Sequence, residues 1–136
     1  GEDQVRDILR DTVTLWTTQE PFSRYKSRTI AWRLLPAIDN ERIRVYYRGE
    51  LCIGFATWAW FLEEEFDTMK FNGAEVFARN DGDMIYIMDV IIPYGRADVK
   101  HIVSDMRRHL SELYPDKPAA FAHRNKRKSK WNRSLS

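Results

Sequence analysis

The chain is predicted to be a single α+β domain, with a central mixed, mostly antiparallel sheet and helices packed on it. Three observations predict this class. Residues 42–48 and 51–61 are rich in β-branched and aromatic side chains and flank Arg48-Gly49-Glu50, the pattern of an antiparallel hairpin with a tight turn. Residues 84–92 are an almost uninterrupted apolar run, as expected of a strand covered on both faces. A helical period over 97–114 and a short apolar stretch at 118–123 follow. That makes a strand–helix–strand unit, whose right-handed crossover places its two strands side by side in parallel.

The elements follow in order. Val5, Ile8, Leu9, Thr12 and Trp16 recur at helical spacing opposite Asp3, Arg6, Asp7, Arg10 and Asp11, so residues 3–17 form an amphipathic helix. Pro21 ends that region, and Ser23 falls in or just after the loop. A second helix over about 27–34 should stop before Pro36. After the hairpin, residues 62–71 suit a short helix with acidic residues Glu63, Glu64 and Glu65 in its solvated first turn. Asn80-Asp81-Gly82-Asp83 is a turn that launches the central strand. In the long helix, Val99, Ile102, Val103, Met106, Leu110 and Leu113 should face inward, and Pro115 ends it.

A length of 136 residues suits one domain, and 43% hydrophobic with 13% aromatic content marks a folded chain rather than a disordered one. No apolar run reaches the roughly 20 residues needed to cross a bilayer, and no signal-peptide pattern opens the chain, so a cytoplasmic protein is expected. Cys52 lies in an apolar strand pattern and reads as a small buried hydrophobe. Net charge is +2, but six basic residues and no acidic ones lie between Arg124 and Arg133; subtracting them leaves −4. Residues 1–123 therefore read as the domain and 124–136 as a basic tail. With Trp131 in it, the tail suits either nucleic-acid contacts or a disordered solubilising end.

The chemistry centres on Asp89. A carboxylate inside the apolar strand 85–92 is costly unless it is paired or its pKa rises. It is either a site residue or half of a buried ion pair with an arginine such as Arg24 or Arg33. His101 and His109 lie eight positions apart on the long helix and give no metal-ligand spacing, His123 has no assigned role, and no metal is expected.

Three segments carry a resemblance: Glu20-Pro21-Phe22-Ser23-Arg24, then Leu35-Pro36-Ala37-Ile38, then Met88-Asp89-Val90-Ile91-Ile92-Pro93-Tyr94-Gly95. Over residues 5–122 the chain resembles the toxin-activating lysine acyltransferases, which fatty-acylate lysines of RTX protoxins. The resemblance implies a GNAT-like fold, whose meander feeding a strand–helix–strand unit matches the order above. It implies acyl transfer from acyl carrier protein, or acyl coenzyme A, to a lysine amine of a target protein. The donor's arm would lie between strands 84–92 and 119–123, near Tyr94, Gly95 and Arg96, with its phosphate at the start of the long helix. No Gly-rich phosphate loop of the ordinary coenzyme A kind is present, which favours a carrier-protein donor; Arg96, Lys100, Arg107 and Arg108 could meet its acidic surface.

In that family a histidine precedes the arginine of the first segment, and the aspartate orients it. Here Ser23 stands in its place. Three readings follow. Asp89 with a raised pKa is the base, directly or through water. Ser23 accepts the acyl group, which needs a base from elsewhere. Or the fold is catalytically inactive and binds a protein or nucleic acid, as a divergent phage or mobile-element member would. Oligomeric state is open, a homodimer included.

Overall fold

The computed structural model describes residues 2–122 and 128–132, with side chains over 7–120. In chain order the elements are α1 (Glu2–Thr18), a 3-10 turn (Phe22–Arg24), α2 (Ser27–Asp39), β1 (Ile43–Arg48), β2 (Leu51–Phe61), α3 (Glu63–Thr68), α4 (Gly73–Ala78), β3 (Met84–Ile91), α5 (Arg96–Leu113), β4 (Pro118–Ala122) and β5 (Lys128–Asn132). The five strands form one sheet in the order β1-β2-β3-β4-β5. All neighbours are antiparallel except β3 and β4, which run parallel with α5 as the crossover. The α+β class, the hairpin and the parallel pair are as the sequence predicts. Gly49 closes the hairpin with φ +61 at the first central position, where an L side chain would be strained.

Two layers of helix cover the sheet. On one face, α5 buries Ile102, Met106 and Leu110 against Trp58, Trp60, Ile85 and Ile87. On the other, α1 and α2 bury Leu15, Trp16, Ile30 and Leu34 against Phe55 and Ile91. Farther along that second face, α3 and α4 supply Phe66 and Val76 to Phe61, Met84 and Tyr86. Each fully buried large side chain contributes about 1.5–3 kcal/mol. Gly54 sits where α5 and the sheet meet most closely: a Cβ there would come within 2.9 Å of Ile102 Cδ1 and of the Ile91 carbonyl oxygen.

Four expectations are corrected. The second helix does not stop before Pro36 but continues to Asp39. Pro36 removes only the N–H that would reach the Trp32 carbonyl. The following turn is closed by Asn40 N–H to Pro36 O at 2.9 Å and Arg42 N–H to Ala37 O at 2.7 Å, while buried Leu34 and Ala37 hold the helix on the sheet. The acidic segment gives two short helices rather than one, because Met69 takes a left-handed φ of 54 and Asn72 starts α4 by accepting from the Glu75 N–H. Within the first of these, Glu65 is not solvated: it accepts the Leu62 N–H and is forked by Arg79. On α5, Val99 and Leu113 are exposed rather than inward, since they fall at the edges of the stripe centred on Ile102, Met106 and Leu110.

The fourth correction concerns the basic end. Residues 128–132, read as part of a tail, pair antiparallel with β4 in a continuous register from Pro118↔Asn132 to Ala122↔Lys128. The alternation Lys128-Ser-Lys-Trp-Asn lacks the apolar run that marks β3, so composition alone hides the strand. The remaining basic residues, at positions 124, 126, 127 and 133, lie outside the described residues, as does His123.

Candidate functional site

An irregularity in β3 creates the site. In the β2–β3 ladder Trp58 pairs with Ile87 and Thr57 pairs with Asp89, so Met88 is an extra residue without a partner across the ladder, a β-bulge. Before it, Ile85 and Ile87 face α5 while Met84 and Tyr86 face the opposite layer. Strict alternation would send Asp89 to the α5 side. The bulge restarts the count and turns Asp89 toward α2. The parallel ladder to β4 also ends here: its register pairs run from Ile85↔Ala119 to Ile87↔Phe121, whereas β3 continues to Ile91.

Asp89 is 4% exposed. Arg33 of α2 grips it as a fork, with Nε on Oδ2 at 3.0 Å and Nη2 on Oδ1 at 3.0 Å. The ion-pair alternative thus holds with Arg33, not with Arg24, which pairs with Glu20 at 2.9 Å. Burial pushes the Asp89 carboxyl above the ordinary carboxylate value; the charge and hydrogen bonds of Arg33 pull it back without offsetting that rise. Thr57, opposite Asp89 in the ladder, also favours the ionised form, but its buried hydroxyl oxygen is not in hydrogen-bonding geometry with any partner. The Arg33 guanidinium lies over two rings, 5.9 Å from the centroid of Tyr25 and 6.0 Å from that of Phe77.

Beside this pair opens a groove of ≈ 430 Å³ lined by Arg28, Thr29, Trp32, Arg33, Phe71, Gly73, Phe77 and Met88. Two more apolar grooves flank α2, one of ≈ 460 Å³ toward α4 and one of ≈ 620 Å³ toward α1. Sequence reasoning did not find Tyr25, Thr57 or Phe77, because only the fold brings them to position 89.

Ser23 sits in the 3-10 turn, half-buried, with its N–H donating to the Gln19 carbonyl at 2.8 Å. Among the described residues no hydrogen bond joins it to Asp89. It is two residues from Tyr25, so its segment borders the Arg33 fork. Tyr94, Gly95 and Arg96 are exposed on the link from β3 into α5, the helix on the face away from the Asp89 carboxylate. Gly95 has φ +119 and open space where a Cβ would stand. His101 is exposed and packs edge-on to Tyr46, while His109 packs edge-on to Trp58, its pKa lowered chiefly by burial. Cys52 is buried, and burial raises its thiol pKa, as suits a packing residue. Among the described residues, no three His, Cys, Asp or Glu side chains could hold a metal ion, and no helix is long and apolar enough to cross a membrane.

Comparison with known proteins gives this geometry a context. A family model, the RTX toxin acyltransferase family, matches residues 2–134. An uncharacterized protein of Synechocystis sp. is 33% identical over 115 residues, 81% of this chain and 74% of that protein. The leukotoxin-activating lysine-acyltransferase LktC of Mannheimia haemolytica serotype A1 is 23% identical over 112 residues, 81% of this chain and 64% of the relative. The RTX-II toxin-activating lysine-acyltransferase ApxIIC of Actinobacillus pleuropneumoniae is 23% identical over 111 residues, 80% and 66%. The chain thus matches just under two thirds of the length of each of these two toxin-activating relatives. With a family match that runs nearly end to end across the sheet, both helical layers and the Asp89 strand, the chain belongs to the RTX toxin acyltransferase family.

Proposed function

We propose that this chain moves an acyl group from a carrier thioester, acyl carrier protein or acyl coenzyme A, to a lysine amine of a protein, with Asp89 as its central acid/base residue. The observation that carries this reading is the buried Asp89 carboxyl with a raised pKa, turned out of register by the Met88 bulge in an acyltransferase-family fold. A carboxyl closer to neutrality is a better base than an ordinary one. The amine nitrogen forms its bond to the thioester carbon, the carbon–sulfur bond breaks, and the amine proton passes through Asp89, directly or by water, to the departing thiolate. Arg33 holds the carboxyl in place and touches no reacting atom.

The GNAT-like reading draws support from the β3–β4 ladder, which stops at Ile87 while β3 runs on. On this reading the donor's arm lies in that opening, with its phosphate end toward Tyr94, Gly95 and Arg96 at the start of α5. A second reading also has an observation behind it. Both Asp89 oxygens bond to Arg33, and Ser23, which has no basicity near neutral pH, makes no bond to Asp89 among the described residues. On that reading the chain is a catalytically inactive member that binds a protein or nucleic-acid partner.

Intact-mass measurement after incubation with acyl carrier protein thioesters or acyl coenzyme A and candidate proteins separates the two. Added acyl groups that disappear in Asp89→Ala support transfer. No acylation with every donor, together with an inert Asp89→Ala change in cells, sinks it.

A further inference from the structure

Strand β1 is one edge of the sheet, and its outer side carries unpaired backbone groups. The register sets Ile43 opposite Thr57 and therefore Arg42 opposite Trp58, whose N–H donates to the Arg42 carbonyl at 3.1 Å. Arg42, Arg44 and Tyr46 thus turn their backbone groups toward β2, while Ile43, Val45 and Tyr47 turn theirs outward. The shift in this ladder leaves out Ile53 of β2, so β1 itself alternates without a break. Among the described residues, no hydrogen bond reaches the outward groups of Ile43, Val45 and Tyr47.

Such an edge is usually guarded by lysine, proline or a bulge on the edge strand. β1 has none of these. Its two arginines are drawn aside onto α5, Arg44 by Asp105 and Arg48 by Asp98. On the other face Ile43 and Val45 are half-buried and Tyr47 is 43% exposed, so an apolar row runs along the open edge.

The strand is also complementary to itself. About a two-fold axis at Val45, an antiparallel copy sets Val45 against Val45 and Ile43 against Tyr47, each pair exchanging both N–H···O bonds. The same register sets Arg44 against Tyr46, a cation against a ring rather than against its like. Arg48 meets Arg42, whose guanidinium is turned inward onto the Phe77 carbonyl oxygen. We propose that β1 is the docking edge for a second copy of this chain, the two sheets joining through their β1 strands into one. Asp89 lies two strands in, on β3, so each copy keeps its own site.

Sedimentation equilibrium of the full chain at micromolar concentration should give the mass of a dimer. Val45→Pro removes an outward N–H and leaves the ladder with β2 its bonds. It should raise the dimer dissociation constant at least about tenfold, since each copy loses a hydrogen bond. Far-UV circular dichroism checks that this variant is folded; if it is not, a cysteine pair decides. Opposed Val45 Cα atoms would stand roughly 5.5 Å apart, within reach of a disulfide. Mild oxidation should therefore link Val45→Cys into a covalent dimer and leave Leu113→Cys, 48% exposed on α5, a monomer. A monomeric chain, a dimer that a folded Val45→Pro leaves intact, or equal crosslinking of the two cysteine variants overturns the proposal. Mass is read directly, so the outcome does not depend on whether the chain transfers acyl groups.

Discussion

Two aspartates, Asp89 and Asp105, sit on opposite layers of the same sheet, each held by arginine, yet their electrostatics run in opposite directions. Asp105 on α5 accepts Arg44 Nε at 2.7 Å and the Tyr46 hydroxyl at 2.6 Å, and also pairs with Arg108. Burial pushes its pKa up, but the hydrogen bonds from Tyr46, Arg44 and Arg108, with the charge of Arg44, more than reverse this and hold it below the ordinary value. Asp89 is more deeply buried, has one arginine, and ends above the ordinary value. Counting ion pairs would rate the two alike. Donor number and solvent access separate a finished structural joint from a carboxyl poised to change its proton.

Removing each carboxylate should give the largest contrast. Asp89→Ala leaves Arg33, only 25% exposed, facing an apolar strand; the loss should be about 2–3 kcal/mol, below the full cost for a buried pair because Arg33 reaches water. Asp105→Ala frees Arg44 and Arg108, which are 38% and 60% exposed, and should cost about 1 kcal/mol. Urea unfolding of both variants checks the order; equal losses would remove the distinction.

The pH dependence should split the pair next. Asp89 has a raised folded-state pKa, so its contribution is complete below the unfolded carboxylate value of about 3.9 and is lost as pH rises through the folded value. Asp105 has a lowered one, so its contribution is present above about 3.9 and is lost as pH falls through the folded value. Stability differences from Asp89→Asn and Asp105→Asn, followed between about pH 3 and 7, should therefore slope in opposite directions. Parallel slopes would show that burial does not govern Asp89.

Two smaller changes sharpen the contrast. Tyr46→Phe takes one of three donors from Asp105 and should cost about 0.5–1 kcal/mol, with a rise in the Asp105 pKa by NMR titration. Thr57→Val removes a buried hydroxyl that makes no hydrogen bond, so the urea midpoint should report a stability change of less than about 0.5 kcal/mol. Ser23→His tests the chemistry instead. If position 23 is the missing base, transfer measured by intact mass should rise by about 10²-fold or more; no gain would leave Asp89 as the sole candidate.

Much of this arrangement was legible in the residues. Gly49 between two β-rich runs marks the hairpin, and Asp89 stands out as a charge inside an apolar strand. A buried carboxylate needs a cation, which points from the sequence to an arginine such as Arg24 or Arg33. What escaped depends on neighbours far along the chain. The path of α2 through Pro36 is decided by the packing of Leu34 and Ala37 on the sheet. Strand β5 is specified by the edge that β4 offers, not by its own alternation. Tyr25, Thr57 and Phe77 have ordinary sequence surroundings and acquire meaning only from where the chain brings them. The bulge is the hardest of all to read: Met88 is neither glycine nor polar, and nothing in Ile87-Met88-Asp89 announces an unpaired residue.

That single surplus residue makes β3 a parity device. Pairing β3 regularly through Met88, with no residue left out of the ladder, would leave its sequence unchanged, yet it would deliver the carboxylate to the layer where Ile102 and Met106 pack and leave Arg33 on the other side. A relative one residue shorter at this point would therefore keep its aspartate on the α2 side, because the ladder without the bulge already pairs that position with Thr57.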